Sequence, residues 1–228
     1  MNATSIIQER VRFGDGGRLC GVLSYPEDET PSAAVLLCSP HPNFAGDMEN
    51  NVILALAERL SASAVTLRFD YRGIGESRIE LPAGVGLFDY WDEIEQTLDY
   101  RDPLIDTADA SAALWEMSDH LPMVAVGYSF GAVTGTQKAI HDCRFVGMAG
   151  VAAPFTRVPF EHLRNCPKPC LMVSGSDDFV YSPEVVAQVA HDGGNKLTVE
   201  RLQHVDHFFR QQETMLADRV ARFVYEVQ

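Results

Sequence analysis

The chain has 228 residues, of which 46% are hydrophobic, and this is enough to bury the core of one domain spanning residues 1–228. A formal net charge of −14 would repel a phosphate backbone and argues against nucleic-acid binding. No apolar run approaches the roughly 18 residues of a membrane span, and residues 1–5 lack the basic region of a signal peptide, so we expect a cytoplasmic protein.

The pattern of apolar residues predicts alternating strands and helices. Alternation at 6–13 and 18–24, around the glycine-rich stretch 14–17, indicates a β-hairpin. Apolar runs typical of strands follow at 33–38, 65–69, 123–127, 145–152, 170–174 and 197–202. Helical patterns lie at 48–62, 105–118, 131–141, 183–191 and 211–226. We therefore expect an α/β fold with a mostly parallel eight-stranded sheet and helices on both faces.

Residues 79–104 form a long irregular insertion with a possible short helix at 89–98. Its Tyr90 and Trp91 offer an apolar edge, so the segment could be a lid that closes over a substrate, or a flap packed permanently on the sheet. Between residues 76 and 119 there are twelve acidic residues and two arginines. They form either a solvated surface or an acidic rim that favours cationic or neutral substrates.

The sequence Gly127-Tyr128-Ser129-Phe130-Gly131 follows a predicted strand and precedes a predicted helix. This G-x-S-x-G pattern is typical of a nucleophile elbow, in which a serine sits on a sharp, strained strand-to-helix turn. The glycines leave room for that turn, because side chains two residues before and after the serine would collide. Ser129 is therefore the candidate nucleophile.

A serine hydroxyl needs an adjacent base, which is itself oriented by a third group. Two aspartates, Asp177 and Asp178, follow the strand at 170–174, and two histidines, His204 and His207, follow the strand at 197–202. The order serine, aspartate, histidine is that of α/β-hydrolases and differs from the orders of the two common serine proteases.

The chain resembles the α/β-hydrolase superfamily along nearly its whole length. The segments that carry this resemblance are 36–42, 69–77, the elbow, 175–178 and 206–209. Residues 39–52 look like small bacterial hydrolases related to dienelactone hydrolase, which tend to read H-P-H-P-x-x-G-G-x-x-x-N there. This chain has Ser39 and Ala45 at two of those positions, and a serine where dienelactone hydrolase uses a cysteine. The resemblance implies Asp178 as the acid, three residues after Gly175, and His207 as the base, in the D-H-F-F position.

An oxyanion hole requires two N–H donors that face the carbonyl oxygen. One donor should be the backbone N–H of Phe130, and the other should come from the loop after the strand at 33–38. Pro42 has no N–H, which leaves Asn43 first and Phe44 second. We expect His41 to brace this loop by side-chain hydrogen bonds.

These residues predict two-step acyl transfer from a small-molecule ester, thioester or amide, with no cofactor. Alternatives are an acyltransferase or cyclase with the same acyl-enzyme, a carbon–carbon bond hydrolase, and a non-catalytic binding module.

No histidine or cysteine spacing suggests a metal site, and the five cysteines are expected to be free thiols. The short segment 154–168 leaves no room for a large cap domain. The predicted pocket residues are Phe44, Phe155, Val180, Phe208 and, in the insertion, Trp91. Substrate identity and oligomeric state stay open.

Overall fold

The computed structural model describes residues 5–228; the first four residues, on which part of the signal-peptide prediction depends, lie outside it. One sheet contains the eight strands of this region: β1 (Ile6–Phe13), β2 (Leu19–Pro26), β3 (Ala34–Cys38), β4 (Val65–Asp70), β5 (Met123–Tyr128), β6 (Phe145–Val151), β7 (Cys170–Gly175) and β8 (Leu197–Leu202). Their spatial order is β1-β2-β4-β3-β5-β6-β7-β8, and β2 is antiparallel to both its neighbours. The remaining pairs are parallel, which confirms the predicted sheet.

The helices are α1 (Asn51–Leu60), α2 (Leu87–Thr97), α3 (Arg101–Met117), α4 (Phe130–His141), α5 (Pro183–Gly193) and α6 (Glu213–Val227). Helix α1 begins three residues later than predicted, because the Asn50 side chain accepts the N–H of Val52 and caps the helix there. Helix α3 begins four residues earlier than predicted, where Asp99 accepts the N–H of Arg101. Within residues 5–228, no helix has the length and apolar character needed to cross a membrane.

The sheet separates two apolar clusters, one on each face. In β3, Ala34, Leu36 and Cys38 point into the cluster that contains residues of α2, α3, α4 and α5, whereas Val35 and Leu37 point into the cluster formed with α1 and α6. Both sets are fully buried, as expected for a central strand covered on both faces.

The insertion at 79–104 is largely helical, since it contains α2 and the start of α3. Trp91 of α2 is fully buried, and its ring makes edge contacts with His41, Tyr71 and Phe130. This packing favours the flap over the lid. In the described chain, the segment 152–169 between β6 and β7 contains only one short 3-10 helix (Glu161–Leu163), so no cap domain is inserted there.

Candidate active site

The predicted catalytic residues follow three strands at the carboxyl edge of the sheet. Ser129 directly follows β5, Asp178 lies three residues beyond the end of β7, and His207 lies five residues beyond the end of β8. Because β5 to β8 are parallel, their carboxyl ends meet at the same edge, which is where ligands bind in open α/β sheets.

Ser129 occupies a strained turn between β5 and α4. Its φ is 54° and its ψ is −113°, a conformation that is unfavourable for a residue with a side chain. Its N–H donates to the carbonyl of Val151 (2.8 Å), which ties the turn to β6.

The two glycines of the elbow are sterically required. A Cβ on Gly127 would lie 1.9 Å from the Gly131 carbonyl oxygen, so the predicted collision across the turn is confirmed. A Cβ on Gly131 would instead lie 2.0 Å from the Cys38 carbonyl oxygen, at the end of β3. Gly131 therefore also lets helix α4 approach the neighbouring strand.

Asp178 and His207 form a buried pair. The Nδ1 atom of His207 lies 2.9 Å from Asp178 Oδ1, which also accepts the N–H of Val180 (2.9 Å). The hydroxyl of Tyr128 donates to the His207 carbonyl (3.0 Å) and holds the backbone that carries the imidazole.

The neighbouring candidates are placed differently. Asp177 is exposed, and its carboxylate accepts a hydrogen bond from the Ser176 hydroxyl. His204 is also exposed, and its backbone N–H donates to Ser176 Oγ. The structure therefore brings Asp178 and His207 together and leaves Asp177 and His204 at the surface.

Ser129 and His207 line the same cavity, which has a volume of about 250 Å³. Of the predicted pocket residues, Phe44, Val180 and Phe208 line it as well. Trp91 and Phe155 do not line this cavity. Trp91 is buried behind His41 and Phe130, and Phe155 is buried against Phe160, because both side chains fill the core.

The predicted oxyanion donors lie around His41. Phe130 is the first residue of α4, so its backbone N–H has no acceptor within the helix. The N–H of Asn43 donates to His41 Nδ1 (3.2 Å), and the N–H of Phe44 donates to the His41 carbonyl (2.9 Å). The expectation that the His41 side chain braces this loop is confirmed. Phe44 lines the cavity and Asn43 does not.

Solved structures of similar architecture cover almost the whole chain. A structure of an α/β serine hydrolase homologue from Coxiella burnetii is 24% identical, with a TM-score of 0.76 over 95% of this chain and 96% of that one. An α/β serine hydrolase without a lid from Xanthomonas campestris is 20% identical, with a TM-score of 0.67 over 99% and 95%. A dienelactone hydrolase-like promiscuous phosphotriesterase from metagenomic libraries is 14% identical, with a TM-score of 0.74 over 98% and 99%.

The chain has the α/β-hydrolase fold. The resemblance to dienelactone-hydrolase-related proteins is thereby confirmed at the level of the fold. No protein-family model matches the sequence, and no curated protein matches it significantly.

In this α/β-hydrolase fold, several cavity residues have no signal in the sequence. Glu95 comes from α2 and Arg157 from the loop after β6, and they form an ion pair of 2.8 Å beside the cavity. Phe179 could be predicted only from its position next to Asp178 in the sequence. Its ring lies 4.7 Å, between centroids, from the ring of His207. The remaining unpredicted lining residues are Pro40, His41, Asn50, Tyr100, Tyr128, Val133, Pro154 and Val158.

Proposed function

We propose that this protein is a serine hydrolase that cleaves an ester, thioester or amide through an acyl-enzyme on Ser129. The observation that carries the proposal is that Ser129, on its strained turn, shares a cavity with a histidine held by a buried aspartate. The names of the structural neighbours, among them serine hydrolases, support the same reaction class.

In the proposed mechanism each group has one role. Because Nδ1 of His207 faces Asp178, Nε2 is the nitrogen that can take the proton of the Ser129 hydroxyl as the oxygen attacks the carbonyl carbon. Collapse of the tetrahedral intermediate breaks the bond to the leaving group, which receives that proton from Nε2. Water then loses a proton to Nε2, attacks the acyl carbon and releases the acid, and Ser129 regains its proton.

The negative oxygen of the intermediate needs two donors in this scheme. The Phe130 N–H is the first, because the residue follows the nucleophile at the start of α4. For the second, Asn43 and Phe44 are both candidates: each N–H donates to His41 and would have to leave that acceptor to bind the oxyanion, and of the two Phe44 lines the cavity.

The rim of the cavity supports water as the acyl acceptor. Phe44 and Phe179 are each 68% exposed and line the cavity, so solvent reaches its mouth. An acyltransferase or cyclase would need a site that excludes water. A non-catalytic binding module would have no need of the strained serine and the buried aspartate–histidine pair.

Ser129→Ala tests the proposal. We expect a loss of about a millionfold in kcat for p-nitrophenyl acetate with an unchanged melting temperature, because the nucleophile of such a triad is essential. A fluorophosphonate probe should label the wild-type protein on Ser129 and leave the variant unlabelled. Ser63→Ala, at an exposed serine that does not line the cavity, is the matched control. Turnover by the variant above a few per cent of the wild-type rate would contradict the assignment.

A further inference from the structure

Tyr100 is held firmly at the wall of the active-site cavity. It immediately precedes helix α3, and its backbone carbonyl accepts the N–H of Leu104 (2.9 Å) in the first turn of that helix. The residue is 8% exposed, and its ring packs edge-on against Phe130, with 5.6 Å between the ring centroids. Because Tyr100 also lines the cavity, backbone and ring packing together fix the place of its hydroxyl.

The hydroxyl of Tyr100 differs from those of the other two buried tyrosines. The Tyr71 hydroxyl pairs with that of Thr134 (2.6 Å), and the Tyr128 hydroxyl donates to the His207 carbonyl (3.0 Å). Within residues 5–228, no group forms a hydrogen bond with the Tyr100 hydroxyl, and its oxygen keeps accessible surface. A ligand in the cavity can therefore reach it.

This hydroxyl is uncharged at neutral pH. Burial raises the pKa of Tyr100 to about 12, and the charges of Glu95 and Arg157 shift it further in opposite directions. A neutral phenol donates one hydrogen bond and accepts others through the same oxygen. Tyr100 thus supplies an uncharged donor to the cavity, close to the Glu95–Arg157 ion pair.

The charges beside Tyr100 are already balanced. The Nη1 atom of Arg157 lies 2.8 Å from Glu95 Oε1, and Nη2 donates to the Glu95 backbone carbonyl (2.9 Å). Of the described residues that line the cavity, these two are the only Asp, Glu, Lys or Arg residues. A charged ligand group would lose its hydration here without meeting an unpaired opposite charge. The surroundings of the hydroxyl therefore favour an uncharged partner.

We propose that the Tyr100 hydroxyl binds an uncharged oxygen, of a carbonyl or a hydroxyl group, on the acyl part of the substrate. The phenol donates its hydrogen to that oxygen over about 2.8 Å, the ordinary length of such a bond. The neighbouring wall includes the apolar residues Phe130, Val133 and Val158, so this hydrogen bond distinguishes an oxygenated acyl chain from a plain one. The inference rests on the proposed function and names oxygenated acyl compounds as its substrate class.

The reaction geometry places this oxygen on the acyl side. His207 protonates the leaving group, so the leaving group must lie beside His207, near Phe179 and Phe208. Tyr100 instead contacts Phe130, whose backbone N–H is the first proposed oxyanion donor. An acyl chain that extends away from His207 along the Phe130 ring therefore reaches Tyr100.

The first experiment measures kcat/KM of the wild-type protein for p-nitrophenyl hexanoate and for its 4-oxo, 5-oxo and 6-hydroxy derivatives, which place the oxygen at successive positions. We expect at least one derivative to exceed the plain ester by about fivefold or more, because it gains a hydrogen bond inside the cavity. The charged mono-adipate and 6-aminohexanoate esters should fall below the best oxygenated ester. No gain with any oxygenated ester would refute the proposal, as would a charged ester that equals or exceeds the best of them.

Tyr100→Phe tests the residue itself. The variant keeps the ring and removes a hydroxyl that has no partner in the protein, so we expect an unchanged melting temperature. The ratio of kcat/KM between the best oxygenated ester and the plain ester should fall to about one. Tyr225→Phe, at a tyrosine that is 78% exposed and does not line the cavity, is the matched control and should keep the wild-type ratio. An unchanged ratio in Tyr100→Phe, with or without a general loss of rate, would contradict the proposal.

A binding measurement separates this inference from the proposed function. Titration calorimetry of Ser129→Ala with 4-oxo-, 5-oxo- and 6-hydroxyhexanamide, and with hexanamide, requires no catalysis. Binding of an oxygenated amide about fivefold tighter than hexanamide, lost in Ser129→Ala/Tyr100→Phe, supports the site even if no ester is hydrolysed. Equal binding of all four amides, no binding of any, or the same preference in both variants overturns it.

Discussion

At the scale of single residues, burial distinguishes the proposed catalytic aspartate from its neighbour in the sequence. Asp178 and Asp177 are adjacent, yet the Asp178 side chain is fully buried and the Asp177 side chain is exposed. Only the buried carboxylate reaches His207. A carboxylate held out of water orients an imidazole better than an exposed one, because solvent does not compete for its hydrogen bonds.

Exchange of each aspartate for asparagine measures this difference. Asp178→Asn should lower kcat for p-nitrophenyl acetate by about four orders of magnitude, because the amide stabilises the wrong tautomer of His207. Asp177→Asn, the matched control, should change kcat by less than about threefold, since its exposed side chain accepts a hydrogen bond from the Ser176 hydroxyl rather than from His207. A larger loss in Asp177→Asn would transfer the acid role to that residue.

Asp70, at the end of β4, is a second buried carboxylate. Its Oδ1 accepts the N–H of Met48 (2.7 Å), and burial raises its pKa from 3.8 to about 6. A folded-state pKa above the unfolded value means that ionisation costs folding free energy. This cost is absent below about pH 4, grows as the pH rises toward 6 and is constant above that value.

We therefore expect Asp70→Asn to stabilise the protein more at pH 8 than at pH 5. Asparagine keeps the acceptor for Met48 but cannot ionise, so the free energy of unfolding relative to wild type should rise by about 1.5 kcal/mol between these pH values. Urea denaturation at both pH values measures it. Asp28→Asn, at an exposed position, should show no such rise, and a constant difference for Asp70→Asn would contradict the assigned pKa.

At the scale of elements, helix α2 connects the insertion to the active site. Its buried face places Trp91 among aromatic rings, and its cavity-lining residue, Glu95, is tied to the loop after β6 by Arg157. The same helix therefore contributes to the core and to the cavity wall. This dual role favours a fixed wall over a mobile lid.

Trp91→Ala distinguishes a fixed wall from a lid. Loss of a fully buried tryptophan should lower the free energy of unfolding by about 3–5 kcal/mol, measured by urea denaturation. The ratio of kcat/KM for a short and a long p-nitrophenyl ester should stay close to that of wild type. Phe88→Ala, on the same helix but 64% exposed, is the control and should be nearly neutral. A changed substrate ratio with unchanged stability would instead support the lid.

At the scale of the whole molecule, charge is distributed unevenly. Twelve acidic residues between 76 and 119 lie largely on α2, α3 and the loops that flank them, and α2 also forms part of the cavity wall. With a net charge of −14, the molecule attracts cations at a distance, and the attraction weakens as salt screens it.

A cationic ester should therefore be steered to the site. We expect kcat/KM for acetylthiocholine to fall by about threefold between low salt and 0.5 M sodium chloride, whereas the value for neutral p-nitrophenyl acetate stays constant. If salt changed kcat/KM equally for the two esters, the acidic residues would serve only as a solvated surface.

Much of this fold could be predicted because its signals are local. Each strand of the sheet is marked by a continuous or alternating apolar run, and the elbow is marked by glycines whose necessity follows from the turn itself. The order of serine, aspartate and histidine could be read for the same reason, because each residue lies within five positions of the end of a strand that is visible in the sequence.

The tertiary structure decided which side chains meet. Glu95 and Arg157 are 62 residues apart, and their contact depends on how α2 packs against the loop after β6. Trp91 and Phe155 were predicted to line the pocket but fill the core, because an aromatic residue in a loop or amphipathic helix carries no local mark of which space it will occupy. Side-chain chemistry was thus visible in the sequence, whereas the cavity that Ser129 and His207 line together exists only after long-range packing.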